Sequence, residues 1–131
     1  MTELELLDKA IEARRFSYSP YSHYAVGAAI LMKDGKVVLG ANQENAAYGD
    51  CMCAERVAIF SSRMMGYTKK DIVMIAIASD ADDLPYPCGS CRQVLSELFP
   101  LDGKVICGNL KHKMEVKTLE ELLPNHFILK D

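Results

Sequence analysis

The order in which apolar spacing switches between two periods constrains this chain more than any other feature of it. Leu4, Leu7 and Ile11 recur at helical spacing and Thr2 with Glu5 forms a capping box, so residues 2 to 16 are expected to form an amphipathic helix. Two strand-like runs follow, Tyr24 to Met32 and Lys36 to Ala41, joined through Asp34-Gly35, a dipeptide that supplies the positive φ angles of a tight hairpin. From Cys53 helical spacing returns and stops at Gly66, a natural C-terminal cap. Asp71 to Ser79 reads as a buried strand. Pro87 then introduces a helix that continues through Val94, Leu95 and Leu98 until Pro100 ends it. Val105 to Leu110 and Met114 to Lys117 are the last strands, Thr118-x-x-Glu121 marks a brief capped helix, and the tail that follows is apolar. The succession α, ββ, α, β, α, β predicts an α/β domain, a mixed sheet with helices packed on its faces.

At 131 residues and 50% apolar, the chain suits one domain spanning 1–131, with no repeat, linker or low-complexity segment. Fifteen basic against eighteen acidic side chains leave a net charge of −3, which lacks the basic footprint of a nucleic-acid binder. The opening MTELELLDKA carries acids and no uninterrupted apolar run, and no 18-residue apolar stretch follows, so neither a secretory signal nor a membrane anchor is expected. A soluble protein of the cytoplasm is the expectation.

In such a compartment structural disulfides are disfavoured, and five cysteines, two of them in Cys88-x-x-Cys91, point to metal or reactive chemistry. Cys88 and Cys91 lie about one turn apart on one face of a helix start, and Cys53 sits at another predicted helix start. Three thiolates with a fourth position open to water make a catalytic zinc site. Two helix N-termini aimed at one point would favour the thiolates. Three thiolates and a hydroxide around zinc sum to about −2, so a nearby cation would restore Lewis acidity; Arg56 is the first candidate and Arg92 the second. Glu55 can meet Cys53 only at a point ahead of the helix end, where a carboxylate could take a proton from water and pass it on. Taken singly, the C-x-x-C pair also suits a structural or redox role, and Glu55 with Arg56 also suits a solvated helix face.

Together, Cys53-Ala54-Glu55 and Pro87-Cys88-Gly89-Ser90-Cys91 resemble the C/H-x-E and P-C-x-x-C signature of the zinc deaminases. The stretches Ser19-Pro20-Tyr21-Ser22, Val26-Gly27-Ala28-Ala29, Asn42-Gln43-Glu44-Asn45-Ala46-Ala47-Tyr48 and Cys91-Arg92-Gln93-Val94-Leu95 resemble the small cytidine deaminases, over about Ser19 to Phe127. The resemblance implies a three-layer fold with about five strands, one zinc ion per subunit on Cys53, Cys88 and Cys91, and attack of zinc-activated hydroxide on ring carbon 4 of cytosine. Glu55 matches the glutamate that shuttles protons, Asn42 and Glu44 match the pair that grips the ribose hydroxyls, and the backbone of Ala54 matches a contact to the base. Tyr24 stands where the family usually has phenylalanine against the nucleoside. Phe127 resembles a C-terminal aromatic that reaches the base from a neighbouring subunit, and Tyr48 another cross-subunit contact, which together imply a homotetramer with shared active sites.

The implied activity is deamination of cytidine and 2′-deoxycytidine in pyrimidine salvage. A blasticidin-type antibiotic deaminase shares the zinc motifs, and a non-catalytic zinc protein closed by Cys51 as fourth ligand belongs to a different class. Cys107 reads as a small apolar residue in a strand, and His23, His112 and His126 as bystanders.

Overall fold

The computed structural model describes residues 1–130. The first helix, α1, covers Glu3–Ala13 and starts at the Thr2–Glu5 capping box. It ends short of the expected residue 16, because Arg14–Phe16 tighten into a 3₁₀ turn. Its inward face is built on Leu6, Leu7, Ala10 and Ala13, whereas Leu4, one of the periodic residues, faces solvent.

Strands β1 (Gly27–Met32) and β2 (Val37–Ala41) form the hairpin, with Gly35 at φ 91° in its turn. β1 begins later than the expected Tyr24. The backbone groups ahead of it are claimed by side chains: Asn42 Nδ2 donates to Tyr24 O at 2.8 Å, Arg14 Nε donates to Ala25 O at 2.9 Å, and Val26 N donates to Asn42 Oδ1 at 2.9 Å. With those groups satisfied, no ladder is needed there.

Helix α2 covers Ala54–Met64, β3 Ile72–Ser79, α3 Gly89–Leu98, β4 Lys104–Asn109, β5 Met114–Thr118 and α4 Leu119–Leu122. Asp71 falls outside β3 because it caps a 3₁₀ turn with Thr68. Pro87 stands just before the Cys88 cap of α3 rather than inside the helix. The strand order is β2-β1-β3-β4-β5, antiparallel throughout except for the parallel β3–β4 pair. That one parallel pair requires a crossover, and α3 supplies it.

Alternation along β1, β3 and β4 sends side chains to two cores. Leu6, Leu7 and Ala10 of α1 pack on Ala29, Leu31, Met74, Ala76 and Ile106 on one face. Ala54, Ala58 and Ile59 of α2 and Leu95 of α3 pack on Ala28, Ile30, Ile75, Ile77 and Val105 on the other. This is the expected three-layer arrangement, a five-stranded mixed sheet with helices on both faces. Gly40 lets α2 lie directly against β2: a Cβ there would stand 2.5 Å from both Ala54 O and Ala58 N.

Candidate metal centre and cleft

Two helices of this fold start without a capping side chain. α1 and α4 open on threonine capping boxes, whereas α2 and α3 have Cys53 and Cys88 at the N-cap and no side-chain cap bond. Cysteine is a poor cap, so the sequence leaves two positive helix ends available to an anion. They converge: Cys53 Sγ lies 3.9 Å from Cys88 Sγ, and Cys88 Sγ lies 3.5 Å from Cys91 Sγ. Zinc–sulfur bonds of about 2.3 Å in a tetrahedron place sulfurs about 3.8 Å apart, so the donor set fits zinc.

Among the described residues, Cys53, Cys88 and Cys91 are the group of His, Cys, Asp and Glu ligand atoms close enough to hold a metal. Cys51 is not a fourth member. Its sulfur accepts from Asn45 N at 3.3 Å and faces Asn45 O at 3.6 Å, which leaves the three-sulfur centre open on its fourth side. His112 is also accounted for, 2.7 Å from Asp8 Oδ1.

Arg56 Nη2 donates to Cys53 Sγ at 3.4 Å, as the charge argument requires. Arg92 does not face the sulfurs. Its Nε donates to Pro87 O at 2.7 Å and its Nη1 to Leu122 O at 2.6 Å, so it ties the start of α3 to α4 and drops out as a charge-balancing group. The Cys91 thiol hydrogen bond, with help from Arg56, pulls Cys53 down to about 5, and the same bond holds Cys91 well above the usual thiol range.

Glu55, in the first turn of α2, is only 4% exposed, and burial pushes it up to about 7. It opens onto a cleft of about 210 Å³ beside the sulfurs of Cys53 and Cys88. This is below the ~300 Å³ at which drug-sized pockets begin and suits a small ring. Tyr24, Val26, Asn42, Ala54, Ile77, Pro85 and Tyr86 form the remaining walls. Val26, Ile77, Pro85 and Tyr86 were not legible as site residues. Only the proline-flanked aromatic two residues before Cys88 offered a signal for Tyr86.

Asn42 is nearly saturated. Its Oδ1 accepts from Ser17 Oγ at 2.5 Å and from Val26 N, and its Nδ2 donates to Tyr24 O, leaving one amide N–H. Glu44 lies outside the lining of this cleft, in an adjoining hollow with Tyr21, Ser22 and Tyr48. Its Oε1 accepts from Tyr21 N and Ser22 N, each at 3.1 Å, and its Oε2 accepts from Ser22 Oγ. These bonds hold it ionised below its ordinary range, chiefly through Ser22. Tyr48 is 81% exposed and Phe127 65% exposed, and neither reaches the cleft of its own chain; Phe127 lines a separate groove with Ser96, Leu101 and Ile128.

A three-sulfur centre with an open side, a buried carboxylate and a ring-sized cleft define the class of a hydrolytic zinc enzyme. Residues 1–108 match the model of the cytidine and deoxycytidylate deaminase zinc-binding region. The chain is 49% identical over 126 residues to the cytidine deaminase of Halalkalibacterium halodurans, covering 96% of this chain and 94% of that protein. It is 38% identical to the cytidine deaminase of Sporosarcina psychrophila over 97% and 92% of the two chains. Among solved structures, cytidine deaminase from Burkholderia pseudomallei superposes with a TM-score of 0.94 at 42% identity, over 97% of this chain and 100% of that one. The enzyme from Mycobacterium tuberculosis gives 0.82 at 33%, over 98% and 100%. This chain belongs to the cytidine deaminase family, and its cofactor is zinc. Neither the antibiotic-deaminase reading nor the closed structural zinc site is favoured.

Proposed function

We propose that this chain hydrolyses cytidine and 2′-deoxycytidine to uridine and 2′-deoxyuridine with release of ammonia, as a step of pyrimidine salvage in the cytoplasm. The observation that carries the reading is the buried Glu55 carboxylate at the foot of a ring-sized cleft, beside the sulfurs of Cys53 and Cys88. Cys53, Cys88 and Cys91 hold the metal, and zinc bound there supplies the Lewis acidity that makes water a nucleophile at neutral pH. Glu55 accepts a proton from the attacking water and delivers it to ring nitrogen 3. It then takes the remaining proton of the new hydroxyl and passes it to the amine, which leaves as ammonia. The water oxygen stays on carbon 4.

Arg56 offsets part of the thiolate charge through its bond to Cys53. Tyr24 packs against the base and the backbone of Ala54 contacts it. The unspent N–H of Asn42 and the remaining lone pairs of Glu44 suit a donor and an acceptor for neighbouring ribose hydroxyls. Each is already fixed by its other bonds, so little side-chain entropy is lost on binding.

Phe127 and Tyr48 are exposed aromatics that do not line their own cleft, which supports a homotetramer in which each completes a neighbour's site. Among the described residues no helix is long and apolar enough to cross a membrane, and a net charge of −3 disfavours a nucleic-acid polymer as substrate. The test is a panel of cytidine, 2′-deoxycytidine, cytosine, blasticidin S and a cytosine-containing oligonucleotide, followed by ultraviolet absorbance and ammonia release. Turnover of the two nucleosides is expected. Turnover of the antibiotic or the oligonucleotide alone would overturn the reading.

A further inference from the structure

Tyr86 belongs to neither zinc motif, yet it lines the cleft. It is 41% exposed, an unusual condition for an aromatic that is to hold one position. Three restraints hold it. Pro85 and Pro87 flank it, which fixes φ on both sides and confines Tyr86 itself to extended backbone. Tyr86 N donates to Leu84 O at 3.1 Å. The ring tip is anchored from a different part of the sheet: Tyr86 Oη donates to Glu115 Oε2 at 2.5 Å.

Glu115 is itself fixed. It lies on β5 directly across from Cys107, a residue of the core beneath α2 and α3, so its side chain is on the face that carries the cleft. Its Oε1 takes Lys117 Nζ at 3.1 Å. The bond from Tyr86 is the main reason this carboxyl stays below its ordinary range and remains an acceptor. The phenol is therefore a braced wall, not a mobile cap.

We propose that Tyr86 is a specificity-determining wall of the cleft, with Glu115 as its positioning residue, and that the pair limits the size of the group the site admits at ring carbon 5. The proposal rests on the deaminase reading above. Ring nitrogen 3 must receive a proton, so that flank of the base belongs beside Glu55. The other flank, carbon 5, carries only hydrogen and belongs against the apolar lining that elements other than α2 supply, Val26, Ile77, Pro85 and Tyr86. Ile77 is fixed within β3, and Val26 and Pro85 are compact, so Tyr86 is the large group among them that meets an added substituent.

The experiment compares kcat/KM for cytidine, 5-methylcytidine and 5-bromocytidine in the zinc-loaded wild type, Glu115→Gln, Tyr86→Phe and Tyr86→Ala. A methyl group misfitting a rigid apolar wall costs about tenfold or more, so the wild type should favour cytidine over 5-methylcytidine by that factor. Glu115→Gln, which replaces the charged acceptor by a neutral and weaker one, and Tyr86→Phe, which removes the donor, loosen the wall without removing it and should reduce the preference several-fold through KM, with zinc content unchanged. Tyr86→Ala should abolish it. Equal use of the three nucleosides by the wild type would overturn the proposal. So would a preference that stays within about twofold of wild type in both conservative variants. Absence of cytidine turnover in the wild type would instead strike the deaminase reading.

Discussion

Gly40→Ala tests whether the seat of α2 on the sheet controls the chemistry. The added Cβ would stand 2.5 Å from Ala54 O and Ala58 N and 2.8 Å from Ala58 Cβ. Ordinary contact begins at 3.4 Å, and two of the three obstacles are backbone, so α2 must move by about 0.9 Å. Overpacking of this kind costs about 2–3 kcal/mol, a fall in Tm of about 10 °C in a domain of this size. The functional loss should be larger than the stability loss suggests. Cys53 and Glu55 both lie at the end of α2 that must shift, and a misplacement near 1 Å costs on the order of 10²-fold in turnover.

Gly108→Ala is the control. Its Cβ would meet only the Leu7 side-chain tip at 2.6 Å, on the α1 side of the sheet, so roughly 1 kcal/mol of stability should go with kcat unchanged. Calorimetry and steady-state kinetics on zinc-loaded samples read both quantities. Equal kcat in the two variants would refute the idea that the position of α2 sets the rate.

Other perturbations act on single groups. Glu55→Gln should lower kcat by about 10²–10⁴ while metal analysis still finds zinc, and near-normal turnover would remove Glu55 from proton transfer. Cys88→Ala, lacking one of three sulfurs, should lose zinc and activity together, and a stoichiometric metal content would remove Cys88 as a ligand. Arg56→Gln, which deletes the charged donor 3.4 Å from Cys53, should reduce kcat/KM by about tenfold at unchanged fold; wild-type kinetics would mean that the helix ends suffice. If the proposed homotetramer shares its sites, mixing Glu55→Gln and Phe127→Ala subunits should regain activity that neither parent has, because some sites then combine an intact carboxylate with a neighbour's intact ring. Failure to regain it would argue for self-contained subunits.

The layer order could be read from the chain because local signals agreed with one another. Asp34-Gly35, the two threonine capping boxes and the change of apolar period each marked a boundary that packing then respected. Boundaries slipped where a side chain from afar did the work of a neighbouring strand. No local pattern around Tyr24 to Val26 announces that Asn42 will take two of that segment's backbone groups. The cluster of Cys53, Cys88 and Cys91 that could hold a metal was legible because zinc imposes spacing, and the contact of Arg56 with Cys53 because one helical turn relates them. Spacing ranked Arg92 second to Arg56 but could not exclude it, since its fate depends on the Leu122 carbonyl, 30 residues away along the chain. The wall made by Tyr86 depends on Glu115, a partner 29 residues away along the chain.

The most direct measurement is a zinc titration of metal-free protein with ammonia release from cytidine as the readout. Activity should be absent at the start, rise in proportion to added zinc and level off at about one equivalent per chain, as a single three-sulfur site requires. Ammonia release before zinc is added, or none after the site is full, would contradict a deaminase built on Cys53, Cys88, Cys91 and Glu55.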